Sequence, residues 1–233
     1  MSFIICDTIS KTYGQGDACV KAIDEITFTV RSGEFVAVMG ESGSGKSTLL
    51  SIMGAMNTPT SGRYLVDDID VYALDGEKQA DFRREYLGFI FQSFHLVPYL
   101  SVVENVMLPL TTTGHSRRVK EFMAHEALAW VGMADKAKRL PNQISGGEME
   151  RTAIARAIVN NPPVLLADEP TGNLDTRTSK TIMTLLARLN QQGTTIMMVT
   201  HSTACAGYAQ RVLKVRDGLL IDTPNPAEAA ACV

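Results

Sequence analysis

Four short apolar runs, Phe35–Met39, Leu87–Phe91, Pro163–Ala167 and Thr195–Val199, are each bordered by polar or glycine-rich turns. Runs of this length without alternation fit strands covered on both faces, as in a mainly parallel sheet. Between them the period lengthens. Ile182, Leu185, Leu186 and Leu189 fall at i, i+3, i+4 and i+7 and stop short of Gly193, which predicts a helix and its end. Residues 116–132 form a second amphipathic segment, with Val119, Phe122, Met123, Ala127, Trp130 and Val131 on one side and Arg117, Arg118, Lys120, Glu121 and Glu126 mostly away from it. Strands alternating with helices predict an α/β fold. The stretch from about 93 to 144 carries no strand pattern and is expected to be a helical insertion, joined by the helix after Ser145. Residues 3–9 and 18–30 read as strands of a small antiparallel layer beside the main sheet. A single domain over 1–222 is expected, with 223–233, poor in large apolar residues, as a loose tail.

Composition narrows the picture. A chain of 233 residues with 45% hydrophobic and 20% charged positions can bury a full core but is short for two large domains. Its 22 basic and 25 acidic residues give a net charge of -3, without the electropositive footprint of a nucleic-acid binder, so no nucleic-acid partner is expected. Cys6, Cys19, Cys205 and Cys232 show neither CxxC nor metal-ligand spacing, which points to reduced thiols and away from zinc or a disulfide framework. The N-terminus lacks the charge and apolar pattern of an export signal. Tyr86–Val103 is long and largely apolar, yet Gln92, Ser93, His95, Pro98 and Ser101 make it a buried strand followed by a loop, not a membrane span. Any contact with a membrane is expected to run through a partner.

The strongest chemical signal follows the strand ending at Met39. Gly40-Glu41-Ser42-Gly43-Ser44-Gly45-Lys46-Ser47 is a full G-x-x-x-x-G-K-[ST] match, and Thr48 begins the helical run behind it. Such glycines let backbone N–H groups wrap phosphate oxygens at a helix N-terminus, with Lys46 on the β- and γ-phosphates and Ser47 on magnesium. The run ending at Ala167 leads into Asp168, suited to hold magnesium, and Glu169, suited to orient and deprotonate an attacking water. Ser145 and Glu148 are spaced as a capping box ahead of another helix. Gly146 and Gly147 in its first turn lower helix propensity by about 1 kcal/mol each, so their merit is close approach, as for a second phosphate contact.

Ile144-Ser145-Gly146-Gly147-Glu148 resembles the LSGGQ signature of ABC-type ATPases. With the loop at 40–47, Gln92, Leu165–Pro170, Asn173-Leu174-Asp175 and His201 it reproduces that family's motif order, from Tyr13 to His201. Residues 91–98 and 104–110 resemble the lipoprotein-releasing and macrolide-exporting subfamily (LolD/MacB-like), and the FtsE proteins of cell division, which regulate envelope complexes without transport, are close relatives. The resemblance implies that Tyr13 stacks on adenine, Gln92 touches magnesium and the attacking water, His201 contacts the γ-phosphate, and Asp175 lies at a dimer interface while capping a helix. It also implies ATP and Mg2+ as cofactors, and a homodimer in which Ser145, Gly146 and Gly147 of one chain complete the other's site. The partner it implies is an integral membrane permease that would hold the chain at the inner face of the cell membrane, in the cytoplasm. Phe94, Leu96, Val97, Tyr99 and Leu100 fall where the permease's coupling helix docks. Ile144, Glu148 and Met149-Glu150 depart from the family's pattern, and Glu150 is expected to add negative charge near the incoming γ-phosphate. A P-loop kinase or GTPase explains neither the 145–148 segment nor His201, and the guanine-reading Asn-Lys-x-Asp is absent.

Overall fold

The computed structural model describes residues 2–14 and 19–221. The anticipated tail at 223–233 and the first residue of the anticipated strand 18–30 lie outside them. In chain order the elements are β1 (Ser2–Tyr13), β2 (Val20–Arg31), β3 (Phe35–Met39), α1 (Lys46–Met53), β4 (Ser61–Val66), β5 (Ile69–Asp70), α2 (Gly76–Tyr86) and β6 (Leu87–Ile90). Next come α3 (Val102–Met107), α4 (Arg117–Trp130), α5 (Gly146–Ile158), β7 (Val164–Asp168), α6 (Thr176–Gln191), β8 (Thr195–Val199), α7 (Thr203–Ala206), β9 (Arg211–Arg216) and β10 (Leu219–Ile221). Short 3-10 turns link several of them.

The apolar runs form the centre of a six-stranded sheet in the order β10-β9-β3-β8-β7-β6, parallel except where β10 pairs antiparallel with β9. A second sheet, β2-β1-β4-β5, is antiparallel throughout. The fold is thus α/β, a mainly parallel core beside an antiparallel layer. Alternate residues of each central strand feed opposite cores. Phe35, Ala37, Leu165, Ala167, Ile196 and Met198 pack with α3 to α6, while Val36, Val38, Val164, Leu166, Met197 and Val199 pack with α1 and the antiparallel sheet. Two covered faces explain why these strands show no polar alternation.

Helix α6 buries Ile182, Met183, Leu186 and Leu189, close to the anticipated stripe. Helix α4 keeps most of the face anticipated for it, with Ala127 and Val131 buried and Met123 and Trp130 packed against the core, but its first residues turn outward. Ala124, Ala127 and Leu128 are buried, whereas Phe122 is 65% and Val119 is 41% exposed. Ala124 and Leu128, outside the anticipated set, complete the inward face against α3 and α5.

Tyr13 is the last residue of β1 and pairs with Val20. Glu150 is a correction. It does not bring charge to the phosphate site: it is fully buried on α5, and neither carboxylate oxygen finds a hydrogen-bond partner among the described residues. Burial pushes its pKa up to about 8 from the ordinary 4.5, against the opposing pull of Arg156, so at neutral pH the proton is largely retained.

The sign of the resulting pH dependence follows. Between about 4.5 and about 8 the unfolded chain releases a proton that the folded chain keeps, so this group lowers stability progressively as pH rises through that window and flattens above it. Glu150→Gln, which cannot ionise, is expected to melt near the wild-type temperature at about pH 4.5 and above it at about pH 8.5. Scanning calorimetry across that range checks it; a constant difference between the two proteins would show that Glu150 does not titrate in the window.

Candidate active site

Parallel pairing sets the site. Val38, Val199 and Asp168 stand on one rung of neighbouring strands, and Ile90 stands one rung lower beside Ala167. The loops leaving β3, β6, β7 and β8 therefore emerge together at the carboxyl edge of the sheet, the usual ligand edge of an open α/β fold. A cavity of about 400 Å3 opens there. Gly40, Ser42, Gly43, Gly45, Lys46, Ser47 and Thr48 line one wall, and Gln92, Asp168, Glu169 and His201 line the other.

The first wall is a phosphate cradle by construction. Helix α1 starts at Lys46 with no side chain capping its N-terminus, so its first N–H groups and its dipole face the cavity. Gly45 precedes it at φ 102°, and a Cβ there would lie 2.3 Å from the Ala22 carbonyl oxygen, so only glycine lets the loop close against β2. Lys46, itself buried, donates from Nζ to the Glu41 carbonyl oxygen at 2.6 Å. Ser44 Oγ is buried with no hydrogen-bond partner among the described residues. Ala22 and Val199 also line the cavity; sequence reasoning missed both, and neither carries a chemical signal by which it could have been found.

On the second wall, Glu169 adopts a left-handed backbone conformation, φ 47°, which costs a non-glycine residue on the order of 1–3 kcal/mol. Its N–H donates to the Val199 carbonyl oxygen at 3.0 Å, fixing the chain as it leaves β7. The carboxylate Oε1 lies 2.9 Å from His201 Nδ1. Asp168 has its pKa raised, first by burial and next by repulsion from Glu169, with Lys46 acting in the opposite sense. A divalent cation would relieve that penalty, and the hydroxyl of Ser47 and the carboxylate of Asp168 are oxygen donors of the type magnesium prefers.

The remaining candidates lie elsewhere. Tyr13, 43% exposed, is held by Asn57, whose Nδ2 donates to its hydroxyl at 2.5 Å, and by Lys11 Nζ, which sits 5.1 Å from the ring centre. Glu41 is exposed on the loop and does not line the cavity. Asp175 caps α6, accepting from the N–H groups of Arg177 and Thr178 and from the Thr178 hydroxyl, bonds that hold its pKa below the usual carboxylate value.

Ser145, Gly146 and Gly147 open α5 away from the cavity. Ser145 and Glu148 form the anticipated capping box, and the Ser145 N–H keeps the Glu148 pKa low. The two glycines prove unlike. A Cβ on Gly147 would fall 2.4 Å from the Thr178 methyl, so packing against α6 requires glycine there. A Cβ on Gly146 would meet nothing closer than Leu174 Cδ2 at 3.7 Å, ordinary contact. Among the described residues nothing requires glycine at 146.

The profile of the ABC transporter family matches residues 23–172. The chain belongs to the ABC transporter family. It is an ATP-binding, ATP-hydrolysing cassette. It is 45% identical over 215 residues to the uncharacterized ABC transporter ATP-binding protein YvrO of Bacillus subtilis, covering 92% of this chain and 94% of that protein. It is 43% identical over 221 residues to the macrolide export ATP-binding/permease protein MacB of Chlorobaculum tepidum, covering 95% of this chain but 34% of that protein; the chain thus spans about a third of such relatives. Among solved structures, the dimeric MJ0796 cassette superposes with a TM-score of 0.86 at 40% identity, covering 94% of this chain and 97% of that one. The same cassette in a dimeric post-hydrolysis state bound to ADP and Pi superposes with a TM-score of 0.87 at 39% identity, over 95% of this chain and 98% of that one. No helix among the described residues is long and apolar enough to cross a membrane.

The asymmetry of the two glycines is testable. Gly147→Ala is expected to cost about 1–3 kcal/mol by overpacking against a methyl whose neighbouring hydroxyl is tied to Asp175. Gly146→Ala is expected to keep or raise stability, since alanine is the better helix former, while ATPase activity falls. Denaturant melts with steady-state turnover separate the cases: full activity in a stable Gly146→Ala variant would mean that no ligand or partner approaches position 146.

Proposed function

We propose that this cassette closes as a homodimer around ATP and drives an integral membrane permease of exporter or lipoprotein-releasing type, lying at the inner face of the membrane through that partner. The observation that carries the reading is the divided site. The cradle and the acidic wall share one cavity, whereas Ser145, exposed, and Gly146, half buried, lie outside it at the start of α5. A second chain, turned head to tail, would bring that helix start to the phosphates, and Asp175 would sit at the same seam. The dimeric MJ0796 cassettes and the fused permease in the name of the MacB relative support both parts of the proposal.

Within one site, Tyr13 stacks on adenine, and the backbone N–H groups from Gly40 to Thr48 surround the phosphate oxygens. Lys46 offsets charge on the β- and γ-phosphates. Ser47 and Asp168, with the Gln92 side chain beside them, would hold magnesium, which supplies charge neutralisation between the phosphate oxygens. Glu169 orients the attacking water and accepts its proton at a carboxylate oxygen, and His201, in contact with that carboxylate, fixes its direction and reaches the γ-phosphate.

Glu169→Gln keeps the shape but removes the proton acceptor. Turnover is expected to drop by about 10²- to 10⁴-fold while ATP still binds, and the variant should run as a dimer in ATP. Size-exclusion chromatography with and without ATP decides; a variant that hydrolyses at the wild-type rate, or stays monomeric at saturating ATP, contradicts the assignment.

Of the apolar cluster anticipated for the permease contact, only part stands exposed. Phe94, Leu96, Val97 and Leu100 are half buried, and only Tyr99, 80% exposed, stands out. Its loop is set by Asn105 of α3, fully buried, which accepts from the Val97 N–H at 2.7 Å and donates to the carbonyl oxygens of Val97, Leu100 and Ser101. An exposed aromatic on a rigid loop suits an interface anchor. Tyr99→Glu is expected to leave ATP binding and melting temperature unchanged and to weaken permease pull-down and permease-stimulated turnover by at least tenfold, the equivalent of about 1.4 kcal/mol. Intact stimulation would move the docking surface elsewhere.

A further inference from the structure

Helix α5 has a second functional end. In its last turn the half-buried Arg156 donates from Nη1 to the His95 carbonyl oxygen at 2.5 Å and from Nη2 to that of Phe94 at 2.6 Å. Both acceptor residues hold left-handed backbone conformations, φ 60° at Phe94 and 47° at His95, so the turn is costly for non-glycine residues and needs outside support. A planar guanidinium fork matches two adjacent carbonyls; a lysine ammonium cannot hold them in the same fixed geometry. The turn directly follows Gln92, whose own carbonyl accepts from Asn173 Nδ2 at 3.0 Å. Strand β6 fixes the chain before Gln92 and Asn173 fixes it at Gln92. Arg156 is the charged group that fixes it afterwards.

We propose that Arg156 is a positioning residue for Gln92: it sets the turn that aims the Gln92 amide into the nucleotide cavity. Because it rides on the helix that begins at Ser145, it links the seating of that helix start to the placing of Gln92 about 16 Å along the helix. The proposal rests on Gln92 acting at the cavity. It adds a residue that lines no part of the cavity and touches no nucleotide.

A double-mutant cycle in the full chain, Gln92→Ala against Arg156→Met, tests it, with kcat, KM for ATP and melting temperature measured for each variant. Arg156→Met keeps the apolar stem and is expected to lower kcat roughly 10- to 100-fold, as loss of orientation does, with KM within about twofold. The double variant should turn over no more slowly than the slower single variant. Arg156→Lys, which keeps charge and stem, should fall between, and it replaces Arg156→Met in the cycle if the methionine variant does not fold. Wild-type kcat in the Arg156 variant, or losses that multiply independently in the double variant, overturns the positioning role. Unchanged kcat in Gln92→Ala alone instead overturns the role of Gln92, and the proposal with it.

Discussion

The parallel hydrogen bonding of β3, β8, β7 and β6 is the constraint on which the site depends. Parallel strands end on the same edge, so once these four are neighbours, the loop after Met39, the acidic pair at 168–169, His201 and Gln92 must meet there whatever the connecting segments do. That pairing is itself held by burial on two sides: each strand contributes alternate residues to two separate cores. A one-residue slip of β7 against β8 would exchange the two cores and move Asp168 off the rung of Val199. Catalytic geometry and core packing are therefore fixed by one register.

Against this frame the cavity shows where stability has been given up. An uncapped α1, an unpartnered Ser44 hydroxyl, a left-handed Glu169 and adjacent carboxylates at 168 and 169 each carry a local cost. Two of those costs fall if anionic oxygens and a divalent cation enter: the free N–H groups of α1 gain acceptors and the carboxylates gain a counter-charge. Outside the cavity the same chain caps its helices normally, at Asp75, Ser101, Ser116, Ser145 and Asp175. The contrast between a bare α1 and well-capped neighbours is itself a mark of the ligand site.

Much of this was legible in the sequence, for physical reasons. Continuous apolar runs are unambiguous when both faces are buried, and the loop at 40–47 must follow such a strand to work, so motif and context checked one another. What failed depended on tertiary packing. On α4, Ala124 and Leu128 face inward whereas Phe122, anticipated there, is exposed, a choice made by the neighbouring helices and not by the helix's own periodicity. Glu150 reads as a charge in a sequence, but burial without a partner makes it a largely neutral acid near pH 7. The two glycines of the 145–148 segment look alike in one dimension; only the position of Thr178 separates them.

That separation bears on how one chain comes to need another. Gly147 answers to packing within the chain, and Gly146 does not, although glycine there costs helix stability on the order of 1 kcal/mol relative to alanine. At the same helix start, Ser145 and Glu148 satisfy each other and place a carboxylate where an incoming phosphate would meet repulsion. For the α5 terminus to receive phosphate, the Ser145 hydroxyl must turn from Glu148 and the backbone N–H of the first turn must be approached closely, which a bare Cα at 146 permits. The capping box thus stabilises the helix start within the single chain and would have to open before phosphate could bind there. If two cassettes close as proposed above, capping strength at Ser145 would set part of the free energy needed to bring them together.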